Sequence, residues 1–129
     1  MCIRDRNNWL FRAREDIAVI DSLYNTDPVL YASTICFHSQ QAVEKYLKAY
    51  LVYSNIDFPR THDVDFLLLE CQKIDSNEFN VDLGSLSDFG VNIRYPDDFY
   101  IPDKEETYQY LTIAHTIQQI VEKKIKLSK

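Results

Sequence analysis

The sequence predicts an all-α protein, an antiparallel up-and-down four-helix bundle with one additional short helix. Its 129 residues are the length of one domain, and 46% of them are hydrophobic, which is enough for a single core. Only two glycines and four prolines are present, so the chain has little material for hairpin turns. Apolar residues recur at helical spacing in long blocks, and the short connections between these blocks favour helices that alternate in direction.

The first helix is predicted to begin at Asn8 and to end at residues 25–28, an Asn-Thr-Asp-Pro sequence. Its apolar face is formed by Trp9, Ala13, Ile17, Ile20 and Tyr24. Residues 1–6 match no periodicity, and we expect them to be a non-native or disordered leader. Residues 7–127 then form a single helical domain.

The central helix is predicted to begin at a cap on Thr26 or Asp27, with Pro28 in its first turn, and to run to about Ser54. Its apolar, buried face comprises Leu30, Ile35, Ala42, Tyr46, Ala49, Tyr50 and Tyr53. Beside that face lies a polar ridge with the same spacing, formed by His38, Gln41, Lys45 and Lys48. The ridge is our candidate working surface. In the alternative interpretation Glu44 and Lys48 are an ordinary ion pair on a solvated face, and His38 is a satisfied interior residue.

Two further long or medium helices are predicted. Thr61 is expected to cap the third, whose core face is Val64, Leu67, Leu68 and Cys71. Residues 75–85 are interpreted as a loop and residues 86–93 as a short, weaker helix. Asp103 and Glu106 form a capping box for the last long helix. The apolar face of that helix is Tyr108, Leu111, Ala114, Val121 and Ile125.

The composition restricts the classes of function. A net charge of −6 means that the chain as a whole is not attracted to nucleic-acid phosphates or anionic lipid, so nucleic-acid binding would need a local basic patch. No run of about eighteen apolar residues is present, so we expect no membrane-spanning segment. Cys2, Cys36 and Cys71 are an odd number without a C-x-x-C pair, which favours reduced thiols and a cytoplasmic protein. Two glycines exclude the glycine-rich nucleotide loops, and the three histidines lack metal-ligand spacing, so we predict neither a cofactor nor a metal site.

Three blocks of the sequence carry a family resemblance, because they occur in order and with matching separation. They are CFHSQQAVEKYLKAYL from Cys36, PRTHDVDFLL from Pro59 and RYPDD from Arg94. From Trp9 to about Val121 the chain resembles the HEPN domain family, the small helical domain shared by prokaryotes and higher eukaryotes. The resemblance implies an antiparallel helical bundle, usually a homodimer, and often encoded beside a minimal nucleotidyltransferase in toxin–antitoxin modules.

Many members of the wider family are metal-independent ribonucleases with an arginine followed a few residues later by a histidine. Such a pair supplies a base for the ribose 2′-OH and a cation for the strained phosphate. Arg94 stands where the resemblance places that arginine, but residues 95–101 contain no histidine. Asp97 and Asp98 moreover put negative charge where an RNA phosphate would lie. This departure argues against ribonuclease activity by the usual mechanism.

Two hypotheses of function follow. We prefer a non-catalytic binding module, a dimer that binds a nucleotide, an RNA end or a partner nucleotidyltransferase in a cleft. The candidate ligand-binding residues are Arg94, Tyr95, His38, Gln41, Lys45 and His62. The alternative is a metal-independent endoribonuclease toxin in which Arg94 works with a relocated histidine, His38 or His62.

Several of these residues also have a structural interpretation. His62 would fix its loop through a hydrogen bond, and Arg94 would form an ion pair with Asp97 or Glu44. His115 lies among apolar residues of the last helix, which favours packing over chemistry. The nine tyrosines are expected mainly in the core and in a dimer interface, although an exposed ring could also stack on a base.

Overall fold

The computed structural model of the chain describes residues 3–89 and 101–127. The regular elements within these ranges are all helices: α1 Ile3–Thr26, α2 Ala32–Tyr53, α3 Val64–Ile74, a 3₁₀ helix Leu86–Phe89 and α4 Lys104–Leu127. The predicted all-α bundle of four helices with one additional short helix is therefore confirmed. None of the helices in the described ranges is both long and apolar enough to cross a membrane.

Helix α2 is the centre of the bundle, because it packs against α1, α3, α4 and the 3₁₀ helix. It is buried on most of its circumference, and its buried residues include Glu44 and Lys48 as well as the apolar ones. A charged side chain in such a position needs a partner within the protein, since water is excluded from it. The polar residues of α2 are therefore the ones whose contacts must be followed.

Cross-helix contacts establish the directions of the long helices. Arg6 lies over the ring of Tyr53 while Asp16 pairs with His38, so α1 and α2 run antiparallel. Arg14 pairs with Glu122 while Asp21 pairs with His115, so α1 and α4 are antiparallel as well. This arrangement matches the up-and-down pattern that short connections favour.

Helix α1 begins at Ile3, so the predicted start at Asn8 is wrong. Residues 3–6 are part of this helix, and the Arg6 guanidinium lies 5.5 Å from the centroid of the Tyr53 ring. The assignment of residues 1–6 to a non-native leader stays a prediction. The predicted apolar face is confirmed, with Ala13, Ile17 and Ile20 buried and Trp9 and Tyr24 packed against the core.

The predicted start of α2 is wrong in the other direction. Asp27 caps a turn instead of the helix: its carboxylate accepts from the N–H groups of Val29 at 3.1 Å and Leu30 at 3.0 Å. Regular helix begins only at Ala32, and Leu30 is 70% exposed instead of lying on the buried face. The rest of that face is confirmed, with Tyr53 partly buried and the other members buried.

The predicted cap of α3 is corrected as well. Asp63, not Thr61, is the N-cap of α3, and it accepts from Phe66 N–H at 3.1 Å. Thr61 supports this cap, because its hydroxyl accepts from Asp63 N–H. The core face of α3 is confirmed in all four positions, Val64, Leu67, Leu68 and Cys71.

At the start of α4 the Asp103 carboxylate accepts from Glu106 N–H at 2.7 Å, which is one of the two hydrogen bonds of a capping box. The predicted face is wrong at Tyr108, which is 56% exposed, and is confirmed at the other four positions, with Leu111 partly buried and packed against the core. The buried residues of α4 are Thr107, Tyr110, Ile113, Ala114, Ile117, Val121 and Ile125. The 3₁₀ helix covers the first part of the weaker helix predicted at residues 86–93, and positions 90–93 lie outside the described residues.

Candidate functional site

A carboxylate of α1 holds two members of the polar ridge. Asp16 is buried, and its Oδ2 accepts from the Lys45 ammonium at 2.7 Å. Its Oδ1 lies 2.8 Å from Nδ1 of His38. Nδ1 must carry a proton to donate to a carboxylate, so in the neutral ring Nε2 is left as the acceptor. The two contacts join α1 to α2, and Lys45 and His38 are therefore paired within the protein.

A second carboxylate, Glu44 of α2, also contacts two side chains. It accepts from Lys48 at 3.1 Å, and Nδ1 of His62 lies 3.0 and 3.1 Å from its two oxygens. The side chains of Lys48 and Glu44 are only 5% and 3% exposed. Lys48 also lies between aromatic rings, 5.0 Å from the centroid of Trp9 and 6.0 Å from that of Phe58. The predicted Glu44–Lys48 pair is thus confirmed, but the solvated face is wrong.

Two glutamines extend the Glu44 cluster towards the loop before α3. Gln41 donates to the Gln40 side chain at 2.8 Å, and Gln40 donates to the backbone carbonyl of His62 at 3.1 Å. The contacts form two separate clusters, one around Asp16 and one around Glu44. We call the members of both clusters together the polar network: Asp16, His38, Gln40, Gln41, Glu44, Lys45, Lys48 and His62. The network fastens α1 and the loop before α3 to the central helix.

The polar network carries no net charge when its histidines are counted as neutral, because two carboxylates balance two ammonium groups. A balanced cluster produces little long-range attraction for a polyanion. The ridge is therefore not the local basic patch that nucleic-acid binding would need. Its two histidines differ in access, since the side chain of His62 is 75% exposed and that of His38 only 29%.

His115 lies outside the polar network. Its Nε2 is 2.6 Å from a carboxylate oxygen of Asp21, and the contact joins α4 to α1. The side chain is 31% exposed, so it is a partly buried ion-pair partner instead of a purely packed one. Each of the three histidines of the chain thus contacts a carboxylate on another element.

A third polar cluster lies between α1, α2 and α4. Arg14 donates twice to Glu122, at 2.7 and 2.6 Å, and the Tyr46 hydroxyl donates to the same carboxylate at 3.0 Å. The hydrogen bonds from Arg14 hold the pKa of Glu122 below its ordinary value, against the opposing effect of burial. Burial, followed by the charge of Glu122, raises the pKa of Tyr46. The tyrosine hydroxyl therefore acts as a neutral structural donor.

The two core cysteines offer no nucleophile. Cys36 and Cys71 are free thiols with no exposed surface. Burial raises the pKa of each to about 12, whereas a reactive cysteine needs a lowered value. Among the residues that the structure describes, no group of three or more histidine, cysteine or acidic residues is arranged to hold a metal ion.

Four of the six predicted ligand-binding residues are members of the polar network, divided between its two clusters. His38, Gln41, Lys45 and His62 all belong to it, and each already has a partner within the protein. His38 and His62 contact different carboxylates. Their role in ligand binding stays a prediction. The other two residues, Arg94 and Tyr95, lie outside the described residues.

The structural interpretation of His62 agrees with its contacts, since the residue anchors its loop through the ring and the backbone carbonyl. Two members of the network were missed, Asp16 and Gln40. Asp16 could have been found from the sequence, because it falls between Ala13 and Ile17 on the apolar face of α1, where an acidic residue must have a buried partner.

A shallow depression of about 440 Å³ lies on α3, and it is lined by Phe66, Leu69, Glu70, Gln72 and Lys73.

Comparison with known proteins gives one match. The family model for the HEPN domain matches residues 7–125. Neither a curated protein nor a solved structure matches the chain. The matched range includes all of α2 and α3, most of α1 and almost all of α4. It therefore contains every residue of the polar network, from Asp16 to His62.

Proposed function

The chain belongs to the HEPN domain family, and from that premise we propose that it is a non-catalytic binding module whose ligand is a partner protein. It acts as a homodimer in the cytoplasm, and its partner is the minimal nucleotidyltransferase of a toxin–antitoxin pair. The nucleotidyltransferase follows from the resemblance of three sequence blocks to the family, and the preference for a protein over RNA follows from the charges of the polar network.

The observation that carries this preference is the pairing of both ridge lysines. Lys45 is held by Asp16 at 2.7 Å and Lys48 by Glu44 at 3.1 Å. A phosphate that displaced either carboxylate would leave a buried negative charge without its partner, which is costly. With a net charge of −6 for the chain, RNA is repelled at long range as well. A protein ligand does not face this barrier.

Co-expression tests the proposal. The gene is expressed together with the small nucleotidyltransferase encoded next to it, and the two proteins are purified through a tag on one of them. We expect a stable complex that survives gel filtration. The proposal fails if the neighbouring genes encode no nucleotidyltransferase, or if the two proteins separate. A light-scattering mass near 15.2 kDa for the chain alone contradicts the homodimer.

One observation favours a second function, a metal-independent endoribonuclease that uses Arg94 and His62. The His62 ring is 75% exposed, and its Nδ1 contacts the buried Glu44 carboxylate at 3.0 Å. A carboxylate in that position orients the ring so that the exposed Nε2 can accept a proton, as a general base must. His38, at 29% exposed, is the less accessible of the two histidines. Cleavage of RNA that requires both Arg94 and His62 would establish this function.

A further inference from the structure

Four of the eight exposed large apolar side chains in the described part of the chain lie at one end of the bundle. They are Val29, Leu30, Ile101 and Tyr108, with exposed fractions of 65%, 70%, 58% and 56%. We call these four residues the apolar end. Val29 and Leu30 belong to the turn that joins α1 to α2, while Ile101 and Tyr108 lie before and within the first turns of α4.

Two contacts bring that turn and the start of α4 together. The Tyr24 ring, near the end of α1, lies 6.2 Å from the Tyr108 ring. The Cys36 thiol in the early part of α2 interacts with the Thr107 side chain of α4. Since Leu30 comes just before α2 and Ile101 just before α4, both exposed pairs project from the same end.

Acidic residues lie in the same turn and at the same helix start as the apolar end. Asp27 caps the turn by accepting from two of its N–H groups, and Asp103 caps α4 in the same way. Glu105 and Glu106 follow in the first turn of α4. Against these four carboxylates stands the ammonium group of Lys104. The described residues at this end thus combine exposed apolar side chains with an excess of carboxylates.

We propose that the apolar end is the docking surface for the partner protein, and that the segment seated on it is amphipathic, with an apolar face and a lysine- or arginine-bearing flank. The inference rests on the proposed function in taking a protein as the ligand. Burial of the exposed apolar side chains supplies the attraction, since clustered apolar residues on a surface are typical of interaction sites. The carboxylates select a basic flank and repel an acidic one.

The probe is a synthetic amphipathic peptide of about 18 residues, long enough for about five helical turns. One face carries leucine and the other lysine, and the comparison peptide has glutamate in place of every lysine. Binding is followed by fluorescence anisotropy at low and high salt. We expect the lysine peptide to bind at least about tenfold more tightly, and to weaken at high salt because the charges are screened.

Matched variants locate the surface. Leu30→Asp and Glu105→Lys are each expected to weaken binding of the lysine peptide about tenfold or more. Leu69→Asp is the control, because Leu69 is 58% exposed but lies on α3. Thermal melting by circular dichroism checks that all variants fold.

Equal losses in Leu30→Asp and Leu69→Asp overturn the proposal, as does equal binding of the glutamate peptide or no binding of the lysine peptide. These outcomes concern only the surface. Cleavage of RNA by the protein would overturn the proposed function and leave this peptide comparison to be judged separately.

Discussion

The Lys45 ammonium of α2 donates to the Asp16 carboxylate of α1 at 2.7 Å, across the interface between the two helices. The side chain of Asp16 is 8% exposed and that of Lys45 is 19% exposed, so most of the pair is shielded from water. His38 lies on the other oxygen of the same carboxylate. Two residues of the polar ridge, His38 and Lys45, therefore fasten α2 to α1.

Replacement of Asp16 by asparagine tests this fastening. The variant leaves Lys45 partly buried without its counter-charge, and we expect it to lower the free energy of unfolding by about 2–3 kcal/mol, between the values for exposed and fully buried pairs. Urea unfolding monitored by circular dichroism measures the loss. Asp57→Asn is the matched control, because Asp57 is exposed in the loop after α2. Equal effects of the two substitutions would mean that Asp16 is not a structural partner.

The buried Glu44–Lys48 pair predicts strong coupling between its two members. Either Glu44→Gln or Lys48→Met alone leaves a charge with side-chain exposure of 5% or less, and each should cost about 2–4 kcal/mol of stability. The double variant should cost less than the sum of the two, by about 1–3 kcal/mol. Urea unfolding of all four proteins in this cycle gives the coupling energy. A coupling near zero would contradict the pairing.

The Arg14–Glu122 pair predicts a stability loss in acid. The hydrogen bonds from Arg14 lower the pKa of Glu122 in the folded protein, so its contribution is present above the ordinary value of 4.5 and is lost as the pH falls through the lower folded value. Glu122→Gln should therefore be less stable than the wild type at pH 7, and the difference should shrink as the pH falls below 4.5.

Thermal unfolding across this range of pH makes the comparison. The exposed Glu15 provides the control Glu15→Gln, which should differ little from the wild type at any pH. A wild-type advantage over Glu122→Gln that stays constant with pH would mean that the charge of Glu122 is not involved.

The core thiols should be protected from reagents in the folded protein. Cys36 and Cys71 have no exposed surface, and burial raises the pKa of each to about 12. In a Cys2→Ser background, both should react with a thiol reagent at pH 8 more than about a hundredfold more slowly than in urea, because both access and thiolate are lacking. Absorbance of the released chromophore follows the reaction. Rates similar to those in urea would contradict the burial of Cys36 in α2 and of Cys71 in α3.

The parts of the fold that sequence could predict are those that depend on one helix at a time. The five predicted apolar positions of α2 from Ile35 to Tyr50 are all buried, and so are the four predicted core positions of α3. The burial of α2 on most of its circumference does not follow from that spacing, because it depends on the neighbouring helices. Helix starts were less predictable, because Asp27 is a good cap for a turn as well as for a helix. In α4 two nearby tyrosines are both candidates for the buried face, and the structure has Tyr110 buried and Tyr108 exposed.

The candidate site was predictable only in part, for a physical reason. The spacing of His38, Gln41 and Lys45 places them on one side of α2, but their contacts differ. His38 and Lys45 both contact Asp16, whereas Gln41 donates to Gln40. Which groups face them depends on the rotation of α1 against α2, and the periodicity of one helix does not determine that rotation. Asp16 is the clearest example, since its carboxylate pairs with His38 and Lys45 and so makes these two residues structural contacts between helices.

The most direct test of a non-catalytic module is cleavage of RNA without metal. End-labelled single-stranded RNA is incubated with the purified protein in EDTA, and the products are resolved on a denaturing gel. The variants are Arg94→Ala, His62→Ala and, as a histidine control outside the polar network, His115→Ala. We predict that the wild type and all three variants produce no cleavage above the buffer control. Cleavage by the wild type and His115→Ala that is lost in both Arg94→Ala and His62→Ala would contradict this account and establish the ribonuclease.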